Sequence, residues 1–337
     1  MAEAPVERAA AIGCGVIGAG WIARLRLNGV DVDAFDPSPD ATRIIATVHD
    51  NALLSWRELD LEPASDAIGS LTMHDSIDRA VASAELIVES VPERLDLKHA
   101  TLAAIDHAAP VGSVIASSTS GFRPSRLAEP LAHPERLVVG HPFNPVYLLP
   151  LVEVVGGRLT DPSVIERAMS TYRSLGMHPL HVRSEIDAHI ADRLLEAVWR
   201  EALWLVNDGI ATTEEIDDAI RYGFGLRWAQ MGLFETYRIA GGEGGMRHFI
   251  SQFGECLSWP WTKLMDVPEL TDELIDTIAT QSDEQSGHHD IRDLERIRDR
   301  NVAAMLLALE RNGWGAGQTI AAMRESTGQG AAQVVEP

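Results

Sequence analysis

The chain has 337 residues, of which 45% are apolar and 23% are charged; this composition is typical of globular proteins, and the length predicts two domains. No run of about 18 apolar residues is present, which argues against a membrane-spanning helix. The 50 acidic and 28 basic residues give a net charge of −22, which disfavours nucleic acid and anionic membranes as partners and weakly favours a cationic or zwitterionic small substrate.

The cysteines and the N-terminal residues carry no export or metal-binding pattern. Cys14 and Cys256 lie far apart, so they form neither a disulfide framework nor a metal-ligand spacing. Residues 1–8 lack the basic and then apolar layout of a signal peptide. We therefore expect a cytoplasmic protein without a bound metal.

The first elements in chain order are predicted to be a strand, a turn, a helix and a second strand. The strand Ala9–Ile12 leads into a glycine-rich turn at 13–20, and the apolar residues from Val16 to Leu27 have the spacing of a helix. Asn28 and Gly29 end that helix, and Val32–Phe35 form the next strand before the Asp36-Pro37 break.

Short apolar runs separated by helical patterns continue through the first half of the chain. They are Leu86–Val88, Val114–Ala116, Leu137–Gly140, Leu151–Val155 and His178–Val182. Strands that alternate with helices predict an α/β fold with a Rossmann-type doubly wound parallel sheet. Because the last strands have no long helices between them, we expect a mixed end to that sheet.

After about Ser184 the pattern becomes helical. Apolar residues from Ile190 to Leu205 form one long face ended by Asn207-Asp208-Gly209, and Thr212-x-x-Glu215 predicts a capping box on the next helix. The sequence therefore predicts a nucleotide-binding domain at 1–184, an all-helical domain at 185–320 and a frayed tail at 321–337.

A G-x-G-x-x-G motif follows the first strand and opens the first helix. Its residues are Gly13, Cys14, Gly15, Val16, Ile17 and Gly18. Such a turn brings backbone N–H groups to a pyrophosphate at a helix N-terminus. Asp36 at the end of the second strand suits a ribose hydroxyl pair and would repel a 2′-phosphate, so the pattern predicts NAD. The alternative is a structural glycine turn with Asp36 as a helix-capping acid.

The candidate catalytic residues are Ser120, His141 and Glu153. A histidine titrates near pH 6.5 and suits removal of an alcohol proton, while a carboxylate can orient its ring. A serine hydroxyl can hold the substrate oxygen. From the residues alone, a lone pair such as His141-Pro142 is more often structural than catalytic.

Three segments together resemble the 3-hydroxyacyl-CoA dehydrogenase family. They are Ser-Ser-Thr-Ser at 117–120, His-Pro-Phe-Asn-Pro-Val at 141–146 and Leu-Val-Glu-Val at 151–154, and the resemblance covers residues 9 to about 240. It implies that His141 is the general base, Glu153 its partner and Ser120 a ligand of the substrate oxygen. It also implies that Glu93 and Lys98 lie near the nicotinamide half of NAD and that Asn144 binds the cofactor, although Lys98 is equally compatible with a solvated helix start.

Two positions depart from the family pattern. Asp192-Arg193-Leu194 stands where the family usually has Asn-Arg-Leu, and an ionised Asp cannot donate a hydrogen bond as Asn does. We expect Asp192 either to face a cationic group or the substrate hydroxyl, or only to stabilise the first turn of its helix through the helix dipole. In family members that act on acyl-CoA, the segment after the second strand resembles a lysine-rich arm that meets the CoA phosphates. In this chain the corresponding residues 41–75 include two basic and six acidic residues. This segment is a poor receptor for the CoA phosphates.

The C-terminal half resembles the branch of this family that oxidises L-carnitine, a zwitterionic 3-hydroxy acid with a trimethylammonium group. The segments that carry the likeness lie at 222–237, 241–247 and 259–263, together with 144–150. A quaternary ammonium is held by aromatic faces and carboxylates. The candidate substrate residues are Phe143, Ala188, Ile190, Ala191, Asp192, Gly223 and Phe253.

Other readings stay open at this point. The resemblance implies a homodimer, and the competing activities are those of a short-chain L-3-hydroxyacyl-CoA dehydrogenase and an L-gulonate 3-dehydrogenase. A crystallin-like structural protein that binds NAD without catalysis is the alternative from another class.

Overall fold

The structure, a computed structural model, describes residues 6–61, 63, 67–240, 248–251, 260–263, 269, 271–274, 276–277, 288 and 291–326. Its described strands form one eight-stranded sheet in the order β3-β2-β1-β4-β5-β6-β7-β8. The strands are β1 (Arg8–Ile12), β2 (Asp31–Phe35), β3 (Leu71–Met73), β4 (Leu86–Glu89), β5 (Val114–Ser117), β6 (Leu137–Pro142), β7 (Leu151–Gly156) and β8 (His178–Val182).

The sheet is parallel from β3 to β6, and β7 pairs with β6 in the antiparallel sense. Strand β8 is parallel to β7, so the last two strands run against the rest. The predicted doubly wound sheet with a mixed end is therefore confirmed. The expectation that no long helix lies between the last strands is wrong for β7 and β8, because residues Pro162–Ser174 form a helix between them. Strand β3 is not predicted, because Leu71 and Met73 are only partly buried, Thr72 is exposed and the three residues form no apolar run.

The described helices before β8 cover the sheet. They are α1 (Val16–Leu27), α2 (Ala41–Glu58), α3 (Ile77–Val81), α4 (Leu95–Ala108), α5 (Pro124–Leu127) and α6 (Pro162–Ser174). Apolar side chains on one face of the sheet pack with α1 and α6, while those on the other face pack with α3 and α4. Burial on both faces explains why the parallel strands read as continuous apolar runs.

The chain after β8 is helical in its described parts. The helices are α7 (Ala191–Asn207), α8 (Thr213–Ala219), α9 (Gly225–Ala240), α10 (Ile291–Arg311) and α11 (Gly317–Ser326), with a π-helical turn at Ile220–Phe224 before α9. The predicted capping box is present, since Thr212 and Glu215 exchange side-chain and backbone hydrogen bonds. None of the described helices is long and apolar enough to cross a membrane.

By its contacts the chain divides into two compact units. The first contains residues 1–192 and 296–337, and the second contains residues 193–295. The final helices thus pack with the sheet unit, although the sequence groups them with the helical domain. Arg324 shows why: its buried guanidinium donates to the backbone carbonyls of Leu59 and Asp60 and pairs with Glu310 at 2.7 Å.

The predicted frayed tail begins inside α11. Residues 321–326 form the end of this helix because Ile320 and Met323 are buried apolar side chains in contact with the core around Trp56. The expectation of a frayed tail is therefore wrong for residues 321–326, and its remainder lies outside the described residues.

Candidate active site

The turn between β1 and α1 needs glycine at two positions for reasons internal to the protein. Gly13 has a φ of +88°, and a Cβ there would lie 2.8 Å from the Ser90 carbonyl. A Cβ at Gly18 would lie 1.8 Å from the carbonyl oxygen of Gly13. By contrast, a Cβ at Gly15 would meet no protein atom within 4 Å. Its space is open, as expected where a phosphate approaches the backbone.

Asp36 at the end of β2 is fixed beside this turn. One carboxylate oxygen accepts a hydrogen bond from the backbone N–H of Cys14 at 2.6 Å, and the other accepts from Ser38 N at 2.7 Å. The Cys14 side chain is buried, and burial together with the Asp36 charge raises the pKa of its thiol to about 12. Cys14 therefore contributes its backbone to the turn and stays an inert thiol.

A cavity of about 650 Å³ opens in front of this turn. Of the residues assigned to the site from the sequence, those in its lining are Gly13, Gly15, Val16, Ile17, Asp36, Glu93, Lys98 and Ser120. An open glycine at a helix N-terminus, a fixed carboxylate at the next strand end and a cavity of this size fit a dinucleotide. Asn144 lies exposed in the loop after β6, outside this lining.

Lys98 is a buried cation with two carboxylates around it. Its Nζ donates to Glu89 at 3.0 Å and to the carbonyl of Val91 at 3.1 Å, and it lies 3.4 Å from Glu93. Glu89 is also buried and accepts from the Ser117 hydroxyl at 2.5 Å. The reading of Lys98 as a solvated helix start is therefore wrong, because burial of this cation is made possible by its carboxylate partners.

The loop at 118–121 joins the cavity to the strands β5 and β6. The hydroxyl of Thr119 donates a short hydrogen bond to Glu93, whose same oxygen accepts from Gly121 N at 3.1 Å. Ser118 accepts from the indole N–H of Trp21 at 3.1 Å. The backbone around Ser120 is thus held on both sides, so that Ser120 lies at a defined position in the cavity wall.

His141 and Glu153 are brought together by strand register. They are directly opposite residues on β6 and β7, and Glu153 Oε2 accepts a hydrogen bond from His141 Nδ1 at 3.0 Å. Both side chains are buried. The predicted pair therefore has the geometry in which a carboxylate fixes the tautomer of an imidazole and leaves its Nε2 as the acceptor.

The second oxygen of Glu153 accepts two backbone hydrogen bonds at the start of α7. Oε1 lies 2.9 Å from Ile190 N and 3.0 Å from Ala191 N. Burial raises the pKa of this carboxyl, but the bonds from His141 and from the two amides outweigh it and hold the pKa of Glu153 below its usual value. The carboxylate is thus kept ionised beside the histidine.

His189 is a site neighbour that the sequence does not identify. It is fully buried at a φ of +50°, its Nε2 lies 3.2 Å from the Thr119 carbonyl, and its ring lies 5.5 Å from that of His141. Burial, and then the charge of His141, lower the pKa of His189. The only signal in the sequence was its place between Ala188 and Ile190, within a segment already assigned to the substrate.

The candidate substrate residues fall into three groups. The Phe143 ring contacts the His141 ring edge-on at a centroid distance of 4.9 Å, and Asp192 Oδ2 lies 3.8 Å from His141 Nε2. Ala188, at a φ of +62°, and Ile190 belong to the turn before α7, and Ala191 is the first residue of that helix. Gly223 lies in the second compact unit at a break in helical geometry, and Phe253 lies outside the described residues.

Comparison with known families agrees with this arrangement. Residues 8–186 match the 3-hydroxyacyl-CoA dehydrogenase NAD binding domain, and residues 189–278 match the C-terminal domain of the same family. The two matches together cover most of the chain.

Two curated relatives are similar over nearly the whole chain. An L-carnitine dehydrogenase/betainyl-CoA thioesterase of Agrobacterium fabrum is 63% identical over 93% of this chain, which spans 64% of that relative's length. An L-carnitine dehydrogenase of Mesorhizobium japonicum is 59% identical over 93% of this chain and 87% of its own.

A solved structure shares the architecture. The NAD+-dependent dismutase 5-formyl-3-hydroxy-2-methylpyridine 4-carboxylic acid 5-dehydrogenase is 26% identical, with a TM-score of 0.77 over 90% of this chain and 99% of its own.

Proposed function

The chain belongs to the 3-hydroxyacyl-CoA dehydrogenase family, and we propose that it oxidises L-carnitine to 3-dehydrocarnitine with NAD. The observation that carries the choice of substrate is the similarity, over 93% of this chain, to relatives named L-carnitine dehydrogenase. This chain spans only 64% of the length of the first of these relatives, so the proposal does not extend to the second activity in that relative's name.

The site geometry supports an alcohol oxidation. His141 Nε2 accepts the proton of the substrate C3 hydroxyl, while its Nδ1–H stays bonded to Glu153. The imidazolium that forms is stabilised by the Glu153 carboxylate, which its hydrogen bonds hold in the charged form against the effect of burial. Ser120 in the cavity wall donates to the same substrate oxygen.

The glycine turn and Asp36 hold the cofactor in this proposal. Gly15 leaves room for the pyrophosphate against the backbone, and Asp36 accepts from the adenosine ribose hydroxyls. Glu93 and Lys98 line the part of the cavity near Ser120. NAD, when bound, supplies the acceptor for the hydride that leaves C3.

The competing substrates differ in what the protein must bind. A CoA thioester brings several phosphates, whereas the segment 41–75 carries two basic and six acidic residues. One of those bases, Arg43, is paired with Asp40 at 3.2 Å. This charge balance favours a small zwitterionic substrate, and L-gulonate stays in the comparison because it also lacks phosphates.

We include a homodimer and a cytoplasmic location in the proposal. An apolar groove of about 210 Å³ on the second compact unit supports a dimer, since Leu195 and Trp199 in its lining are 58% and 52% exposed. Sedimentation velocity of the purified chain tests the dimer, and fractionation of the source cells tests the location.

The experiment that tests the activity is NADH formation with NAD and four substrates. The panel contains L-carnitine, D-carnitine, L-gulonate and 3-hydroxybutyryl-CoA. Activity on L-carnitine alone is expected. Turnover of the CoA ester or of gulonate without L-carnitine would overturn the choice of substrate, and NAD binding without any turnover would favour a structural, crystallin-like role.

A further inference from the structure

The imidazole of His141 lies between two carboxylates, of which the mechanism uses one. Glu153 bonds to Nδ1 at 3.0 Å, and Asp192 Oδ2 lies 3.8 Å from Nε2 on the opposite side of the ring. Asp192 is the second residue of α7, and the start of that helix is fixed by the bonds from Ile190 N and Ala191 N to Glu153. One carboxylate therefore sets the position of the other relative to the ring.

The distance of Asp192 from the ring separates it from the proton transfer. At 3.8 Å the Asp192 oxygen lies beyond hydrogen-bond reach of Nε2, so it does not occupy the nitrogen that takes the proton. Its side chain is 21% exposed, against 7% for His141 and 0% for Glu153. Asp192 is thus the carboxylate that borders the space in front of Nε2.

An aromatic ring flanks the same imidazole. Phe143 contacts His141 edge-on at a centroid distance of 4.9 Å and is only partly buried. A quaternary ammonium donates no ordinary hydrogen bond and is recognised by carboxylates and aromatic faces together. Asp192 near Nε2 and Phe143 against the imidazole ring therefore offer the chemistry that such a cation needs.

A substrate oriented for proton transfer would bring its cation to this place. In L-carnitine one methylene separates the trimethylammonium nitrogen from the carbon that is oxidised. When the C3 hydroxyl meets His141 Nε2, the cation is therefore a near neighbour of the ring. A neutral substrate at the same position would leave the Asp192 carboxylate facing an apolar group, which is unfavourable.

We propose that Asp192 is the residue that selects a cationic substrate, pairing its carboxylate with a quaternary ammonium one methylene from the oxidised carbon while Phe143 supplies an aromatic surface. This inference rests on the proposed function, because it assigns a role within the same site. It predicts that removing the charge of Asp192 changes which substrate is preferred, beyond any loss of rate.

The test compares L-carnitine with its carbon isostere, 3-hydroxy-5,5-dimethylhexanoate, in which a tert-butyl group replaces trimethylammonium. These substrates share shape and differ in charge. We expect the wild-type ratio of kcat/KM to favour L-carnitine and Asp192→Asn to lower that ratio at least about tenfold, as loss of a close ion pair does. Glu196→Gln, a charge removed one turn later on α7, is the matched control and should keep the wild-type ratio.

The outcomes distinguish failure of the Asp192 inference from failure of the proposed oxidation of L-carnitine. If Asp192→Asn lowers kcat/KM for both substrates by the same factor, Asp192 acts through His141 or through the fold and the inference is wrong. If wild type oxidises the isostere and leaves L-carnitine unchanged, the proposed function fails as well. Wild type that is active on L-carnitine, with an unchanged ratio in the variant, overturns the inference alone.

A binding measurement on wild type covers the case in which Asp192→Asn does not fold. Two inhibitors without the hydroxyl, γ-butyrobetaine and 5,5-dimethylhexanoate, differ only in the central atom of the branched group. We expect γ-butyrobetaine to inhibit at least about tenfold more tightly, and Asp192→Glu to keep that preference. Equal inhibition constants in wild type would contradict a role for a carboxylate in this selection.

Discussion

His141 and Glu153 are direct partners across the antiparallel strands β6 and β7, and a 3.0 Å hydrogen bond joins their side chains. Opposite residues in a ladder point to the same face of a sheet, so a separation of 12 residues in the sequence becomes one contact. The pair is therefore positioned by strand register, while both side chains are buried.

Replacing His141 by Asn should lower kcat for L-carnitine by about 10²–10⁴-fold, because general base catalysis contributes that much. The dissociation constant of NAD should change little, since His141 is not part of the cavity lining. Steady-state kinetics and NAD titration check both statements. His181→Asn, an exposed histidine on β8, is the control, and near-normal turnover in His141→Asn would refute the assignment.

Replacing Glu153 by Gln should lower kcat at least about 10²-fold, because the imidazolium of His141 loses its carboxylate partner. It should also lower the free energy of unfolding by about 1–3 kcal/mol, because an amide NH2 replaces one of the two buried oxygens that accept hydrogen bonds. The pKa of Glu153 is held below its usual value, so its contribution to stability is present above about pH 4.3 and is lost as the pH falls further.

Thermal unfolding from pH 7 to pH 2, a range that extends below the pH at which this contribution begins to be lost, measures this second effect for Glu153. The Tm difference between wild type and Glu153→Gln should be largest near neutral pH and should shrink toward the acid end. A difference that is constant over the whole range would mean that ionisation of Glu153 does not contribute to stability.

His189 should make the protein less stable in mild acid. Burial, and then the charge of His141, lower the pKa of His189, so the folded state takes up its proton less readily than the unfolded chain. Stability should therefore be complete above about pH 6.5 and should fall as the pH drops below it. The neighbouring charges of Glu153 and Asp192 act in the opposite direction and limit the effect.

Asn at position 189 is the matched variant, because Asn tolerates the left-handed backbone that His189 adopts at a φ of +50°. Denaturant unfolding at pH 7.5 and pH 5.5 should show a smaller loss of stability in His189→Asn than in wild type. The same loss in both proteins would assign the acid sensitivity to other groups.

Alanine substitutions at two glycines of the β1–α1 turn should affect different properties, NAD binding at Gly15 and stability at Gly18. Gly15→Ala should fold normally and bind NAD about tenfold more weakly, because its Cβ meets no protein atom but enters the space for the pyrophosphate. Gly18→Ala should lose about 1–3 kcal/mol of stability, since its Cβ would overlap the Gly13 carbonyl. Calorimetric titration and thermal unfolding distinguish them, and unchanged NAD affinity in Gly15→Ala would argue against the turn as the phosphate site.

Helix α1 shows how far local signals reach. The predicted span from Val16 to Leu27 agrees with the structure, because the glycine turn before it marks its start and Asn28-Gly29 after it mark its end. Strand β3 was missed because its three residues carry no apolar run of their own. Its place in the sheet depends on pairing with β2, which is a tertiary interaction.

Candidate site residues can be named where the family pattern is continuous in sequence. Ser120, His141 and Glu153 are such candidates, and the structure brings the last two into contact, but the surroundings of Lys98 and the position of His189 cannot be predicted. The buried Lys98 ammonium pairs with the carboxylates of Glu89 and Glu93. His189 contacts the carbonyl of Thr119, which lies 70 residues earlier in the chain. Such contacts between distant residues leave no period or spacing in the sequence.

The first compact unit is discontinuous, since residues 296–337, with most of α10 and all of α11, belong to it although they follow the second unit in the chain. Domains fold as units during synthesis, from the N-terminus onward. Leu59 and Asp60 leave the ribosome long before Arg324, whose guanidinium bonds to their carbonyls. The nucleotide-binding unit therefore completes its packing only after α11 has been translated, and a chain truncated after residue 295 would lack the Arg324 contacts of Leu59 and Asp60.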